Sequence, residues 1–120
     1  MSELLDRVPP QNLEAERSTL GAMFLEKDAI YRAMEIIKPE DFYKDGHALI
    51  YQVVLDLTNR GEPVDLVTVT EELRQREALE KVGGITYLTE LANTVPTAAH
   101  VEYYARIIEE KALLRNLIHA

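Results

Sequence analysis

Residues 98–120 read as one continuous helix carrying two apolar rows, and a globule of this size cannot cover both. Val101, Tyr104, Ala105, Ile108 and Ala112 form the first row; Tyr103, Ile107, Leu114 and Ile118 form the second. Thr97 stands where an N-cap belongs. A helix of 23 residues spans about 35 Å. That is the whole diameter of a 120-residue globule, whose radius of gyration should be about 14 Å. One end of the helix must protrude or rest on something else. The pattern is still running at Leu117-Ile118-His119-Ala120 with no capping residue, so the chain is expected to be a piece of a longer protein.

The preceding residues repeat the helical period in shorter pieces. Pro9-Pro10 forbids helix and favours extended backbone, so residues 1–12 read as an arm. Asn12 is a good N-cap, with Glu14 and Glu16 in the first turn, where carboxylates suit the positive end of the helix dipole; this helix is expected over 13–26. Asp28 can cap a second helix with Ile30, Ala33, Met34 and Ile37 on one face, stopped by Pro39. Pro39 to Tyr43 reads as a tight connector whose two aromatics turn inward. From Asp45, the residues His47, Ile50, Tyr51, Val54, Leu57 and Thr58 form a stripe that Leu49, Val53 and Leu55 widen, as in a helix buried on more than one side and closed by Gly61. Val64 to Thr70 favours a strand by propensity. Yet Asp65 is a capping residue, Leu66, Val69 and Leu73 have helical spacing, and nothing else here alternates with period two to pair with a strand; the expected element is a helix over 66–76. Gly83-Gly84 breaks the chain, and Ile85, Leu88, Leu91 and Ala92 mark a short helix ending near Asn93. The fold class is therefore all-α, with about six helices: a head over 13–97 and the long helix over 98–120.

Composition narrows the function. At 47% hydrophobic residues the chain can build a core. Its apolar stretches are four residues or fewer, against about 20 for a membrane span. No cysteine is present, which excludes disulfides and thiolate metal sites and fits a reducing compartment. Met1 to Arg7 lacks the apolar core of a secretory leader. The net charge is −8; residues 98–120 hold three basic and three acidic side chains, so the whole excess lies in 1–97. A nucleic-acid-binding domain needs a basic face for phosphate neutralisation, and this balance argues against one.

No pattern of catalytic residues converges. His47, His100 and His119 lack the Glu-x-x-His and His-Glu-x-x-His spacings of metal sites. His47 reads as a helix-face histidine with a satisfied nitrogen. The acidic pairs Glu71/Glu72 and Glu109/Glu110 point to different sides of a helix and read as solvated faces. Neither Ser2 nor Ser18 lies in a nucleophile elbow. Gly83-Gly84 is not followed by the Lys-Ser/Thr of a phosphate loop and reads as a helix break at positive φ. The residues alone describe a helical binding or assembly module, with no catalytic, cofactor or metal residues to name.

Several strings then resemble one family. Arg7-Val8-Pro9-Pro10-Gln11-Asn12-Leu13-Glu14-Ala15-Glu16, Leu20-Gly21-Ala22, Pro39-Glu40-Asp41-Phe42-Tyr43, Gly61-Glu62-Pro63-Val64-Asp65-Leu66-Val67-Thr68, Gly83-Gly84-Ile85-Thr86-Tyr87-Leu88, Val95-Pro96-Thr97-Ala98-Ala99 and Tyr103-Tyr104-Ala105-Arg106-Ile107 are similar, in order and spacing, to the amino-terminal domain of the DnaB family of bacterial replicative helicases. Arg17 stands where that family usually has Gln. The resemblance implies an all-α globular head followed by a helical hairpin, of which 98–120 is the first helix. It implies a hexameric collar, a trimer of dimers, on a ring of ATPase domains that bind ATP and Mg, translocate on single-stranded DNA and lie outside this chain. It implies a cytoplasmic setting and partners in the carboxy-terminal domain of primase and, in some lineages, a helicase loader. By motif, Tyr87, Glu14 and Ile118 become the candidate partner-binding residues. Each also has a plain structural role open to it: a ring half-buried beside its own helix, a helix-dipole carboxylate, and packing against a hairpin or dimer mate. An unrelated all-α adaptor is the alternative reading, and a small stand-alone enzyme a third.

Overall fold

In the computed structural model, which describes residues 8–119, six α-helices follow one another and no strand occurs among the described residues. They are α1 (Leu13–Leu25), α2 (Lys27–Met34), α3 (Asp45–Asn59), α4 (Leu66–Gln75), α5 (Gly84–Ala92) and α6 (Val101–His119), with a 3-10 turn at Pro39–Asp41 between α2 and α3. Residues 1–7 of the expected arm lie outside the described residues.

Local chemistry sets most boundaries. Asn12 Oδ1 accepts the Ala15 N–H at 2.9 Å and caps α1. Asp65 Oδ1 accepts from Thr68 N while Thr68 Oγ1 accepts from Asp65 N, both at 2.9 Å. This reciprocal box starts α4 and overrides the β-branched run that follows it. Gly61 leaves α3 at φ +74°, and Gly83 stands at φ +117° before α5, conformations that glycine adopts without steric cost.

Four expectations need correction. The second helix starts at Lys27 and ends at Met34, so Asp28 lies inside its first turn, paired with Arg32 at 2.9 Å rather than capping. Phe42 is buried against Tyr51, but the neighbouring Tyr43 is exposed. The chain is extended at Phe42, and in extended backbone successive side chains face opposite ways, so only one of the two can enter the core. Ile85 is exposed in the first turn of α5, where the burial falls on Leu88 and Leu91. Residues 98–100 form a turn, with Thr97 Oγ1 accepting from Ala99 N, and α6 proper has 19 residues.

The core is arranged around α1, which packs against α2, α3, α5 and α6. Leu20, Ala22 and Met23 of α1 are buried, as are Ile50, Tyr51, Val53, Val54 and Leu57 of α3. Gly21 lets α5 approach: a Cβ there would lie 2.6 Å from the Leu91 carbonyl oxygen. On α6 the first row is sealed, with Val101, Ala105, Ile108 and Ala112 buried. The second row is not sealed. Ile107 is partly covered, but Tyr103, Leu114 and Ile118 are exposed, joined by Leu113 and Leu117. The long axis of the molecule is 48 Å against 30 and 25 Å for the others, with a radius of gyration of 14.5 Å.

An ionic ladder joins α3 to α4. Arg76 bonds Asp56 at 2.8 Å and Glu72 at 2.9 Å, and Arg60 reaches Glu72 at 2.8 Å. The hydrogen bonds from Arg60 and then Arg76 hold the Glu72 carboxyl below its ordinary range.

Two outcomes follow. Gly21→Ala should lower stability by about 1–3 kcal/mol in urea unfolding, because the clashing atom is backbone and cannot swing aside. Glu72 binds its proton less readily folded than unfolded. The ladder's contribution is thus present above the ordinary carboxylate range and is lost as pH falls through the lowered folded value. The urea midpoint should therefore drop as the pH falls below the ordinary carboxylate range, with a shallower drop in Arg76→Gln.

Candidate functional site

The surface around Tyr87 rests on a buried polar cluster drawn from three helices. His47, on the buried face of α3, has no exposed surface and uses both ring nitrogens. Its Nδ1 lies 2.7 Å from Glu16 Oε1 on α1, and its Nε2 lies 2.5 Å from the Tyr87 hydroxyl on α5. In the neutral imidazole Nδ1–H donates to the carboxylate, leaving Nε2 to accept the phenolic proton. The imidazole and the Tyr87 ring lie nearly parallel and meet edge to edge through this hydrogen bond, with centroids 5.8 Å apart and 10° between their planes, and Lys44 Nζ stands 4.7 Å from the centre of the Tyr87 ring.

Glu16 is 1% exposed, so its carboxylate must be satisfied from within. Besides His47, it accepts the Tyr43 N–H on Oε2 at 2.7 Å and the Lys44 N–H on Oε1 at 3.4 Å. Glu16 thereby fixes the connector between the 3-10 turn and α3, and gives the start of that helix a partner for its free N–H groups. Sequence reasoning placed Glu16 as a dipole partner of the first turn, which it also is. Its burial was missed, because a carboxylate two residues from an exposed one carries no local sign that a histidine 31 residues on will cover it. The usable signal was His47 itself: a histidine inside an apolar stripe needs partners for both nitrogens.

The three candidate residues fall as follows. Tyr87 is half-buried, its ring seated on the Gly83 turn, where an added Cβ would lie 2.7 Å from the Tyr87 Cβ. Glu14 is exposed and pairs with Arg17 at 2.5 Å. That hydrogen bond, with a smaller contribution from Tyr87, raises the Arg17 guanidinium above its ordinary value. Ile118 is exposed near the end of α6. One turn earlier, Arg115 donates to Pro10 O at 2.8 Å and to Asp41 O at 2.6 Å, with its guanidinium 5.5 Å from the centre of the Tyr43 ring. This clamp, which sequence reasoning did not foresee, brings the end of α6 to the start of α1, the helix that carries Glu14.

The geometry offers little to a nucleotide. The space at the Gly83-Gly84 turn is taken by the Tyr87 ring, and Glu80 Oε1 lies 3.5 Å from where a Gly84 Cβ would stand, a carboxylate where phosphate needs donors. Among the described residues no group of three or more His, Asp or Glu is placed to hold a metal ion, and no helix is long and apolar enough to cross a membrane. A cleft of about 380 Å³ between the α1–α2 junction and the 61–64 loop is lined by apolar Met23, Phe24, Leu25, Ile30, Pro63 and Val64 and by polar Glu26, Lys27, Thr58 and Glu62.

These features define an all-α domain with a rigidly held surface tyrosine and a terminal helix whose far end carries uncovered apolar side chains. Residues 8–110 match the family described as the DnaB-like helicase N terminal domain, and the chain belongs to that family. It is 59% identical over 119 residues to the replicative DNA helicase DnaC of Bacillus subtilis, covering 98% of this chain and 26% of that protein. It is 52% identical over 119 residues to the replicative DNA helicase DnaB of Mycobacterium leprae, covering 99% of this chain and 20% of that one. The crystal structure of the N-terminal domain of DnaB helicase from Mycobacterium tuberculosis superposes with a TM-score of 0.91 at 53% identity, over 93% of this chain and 78% of the other. The chain thus spans about a quarter or less of the length of these helicases.

Glu16→Ala should cost roughly 3 kcal/mol or more in urea unfolding, since it strands the Tyr43 N–H and His47 Nδ1 away from water. Glu14→Ala, losing only an exposed pair, should leave the midpoint in place.

Proposed function

We propose that this domain is the amino-terminal collar of a hexameric replicative DNA helicase, where it supports ring assembly and docks primase. The carrying observation is the far end of α6: Leu117 is 74% and Ile118 64% exposed, on a helix whose opposite row is sealed into the head. Apolar side chains concentrated on one stretch of a helix suit a protein contact. In this reading 98–120 is the first helix of a hairpin, and sister subunits, paired as a trimer of dimers, cover the second row. ATP and Mg serve a separate domain of the parent, which unwinds DNA in the cytoplasm; this domain has no catalytic role, inserts in no membrane and binds no nucleic acid directly. The acidic balance, −8 overall, supports protein rather than phosphate as its partner.

The carboxy-terminal domain of primase is the expected occupant of the surface around Tyr87 and Glu14, with a helicase loader as a further partner. Several copies on one ring raise the effective concentration for a multivalent primase. The half-buried Tyr87, braced by His47 and Lys44, offers a rigid aromatic anchor of the kind that dominates interfaces.

Two measurements test the reading. In the parent helicase, Leu117→Ser combined with Ile118→Ser should shift sedimentation from hexamers to smaller species; an unchanged distribution would contradict the assembly role. Tyr87→Ala should weaken primase binding by more than about 1 kcal/mol in calorimetry without unfolding the domain. Unchanged affinity would remove Tyr87 from the interface.

A further inference from the structure

An unbroken chain of contacts runs from the Tyr87 surface to the far half of α6. The Tyr87 hydroxyl meets His47 Nε2, His47 Nδ1 meets Glu16, and Glu16 accepts the Tyr43 N–H. The Tyr43 ring in turn lies beside the Arg115 guanidinium, which is anchored on Pro10 O and Asp41 O. Water does not reach the middle of this path, where His47 is 0% and Glu16 1% exposed. A buried donor or acceptor that loses its partner finds no substitute, so each member is held to the next. Turning the Tyr87 ring away strands Nε2. Re-aiming the imidazole disturbs the carboxylate, and the carboxylate is what holds the 41–44 connector on which Arg115 closes. No hydrogen bond or ring contact joins Tyr87 to Arg115 directly.

We propose that Glu16 and His47 couple the Tyr87 surface energetically to the seating of α6, so that an occupant at one changes affinity at the other. The functional consequence rests on the reading above, in which Tyr87 faces a docked protein and the end of α6 faces a sister subunit. Coupling of this kind is reciprocal: the factor by which docking at Tyr87 changes self-association is the factor by which self-association changes docking.

The test is a double-mutant cycle on this 120-residue chain, followed by urea unfolding, with Tyr87→Phe and Arg115→Gln. Sites without shared partners behave additively, whereas members of one network do not. The folding equilibrium constant of the double variant should differ from the product of the single effects by roughly threefold or more. A parallel cycle of Glu71→Ala with Arg115→Gln should be additive, because Glu71 is exposed on α4 and pairs with Arg74, outside the path. Additivity in the first cycle, or equal coupling in the second, overturns the proposal. Should the double variant fail to fold, the Arg115 Nε–H resonance in Tyr87→Phe alone decides: displacement supports the coupling and an unmoved signal overturns it. No partner enters this experiment, so its result is independent of whether Tyr87 proves to be a primase contact.

Discussion

The burial of one carboxylate organises much of this domain. Glu16 sits in the first turns of α1 with no access to water, and a charge in that position is tolerated only if surrounding donors replace its hydration. Two backbone N–H groups and an imidazole supply them, and in doing so they fix three things together: the connector after the 3-10 turn, the buried face of α3 and the Tyr87 ring on α5. Apolar packing around α1 supplies the bulk of the stability. The carboxylate supplies direction, because a hydrogen bond constrains angle as well as distance.

The head and the last helix obey different rules. In the head, each helix is short and covered by its neighbours, and α3 is apolar over most of its circumference because other elements surround it. The last helix has one covered row and one largely open row, and Arg115 pins its far half to two backbone carbonyls, Pro10 O just before α1 and Asp41 O in the 3-10 turn. The pinned half is also the one that exposes Leu113, Leu117 and Ile118. An oriented apolar end is a better assembly surface than a mobile one, since less freedom is lost when a neighbour covers it.

How much was legible in the sequence depended on the range of the interaction. Asn12 and Asp65 announced helix starts because a cap acts within three residues of chain. The two rows of the last helix were readable because periodicity is local, whereas its length was overestimated, since residues 98–100 form a turn and the helix has 19 residues. Tyr43 was misplaced because alternation in a short extended connector decides which of two adjacent aromatics enters the core, and composition does not. The Glu16–His47–Tyr87 cluster and the Arg115 clamp were invisible because their partners are separated by 31, 40, 105 and 74 residues. The family resemblance points to Tyr87 and Glu14, but the buried network behind the tyrosine is visible only in the structure.

On the proposed function, the head is complete in itself and another subunit covers the end of α6. Amide hydrogen exchange, compared between this chain alone and the assembled parent helicase, tests it most directly. The account predicts equal protection across α1 to α5 in both samples, and slowed exchange in the parent confined to the stretch around Leu113 to Ile118. Equal exchange of that stretch in both samples, or loss of protection within α1 and α3 when the chain stands alone, would contradict it.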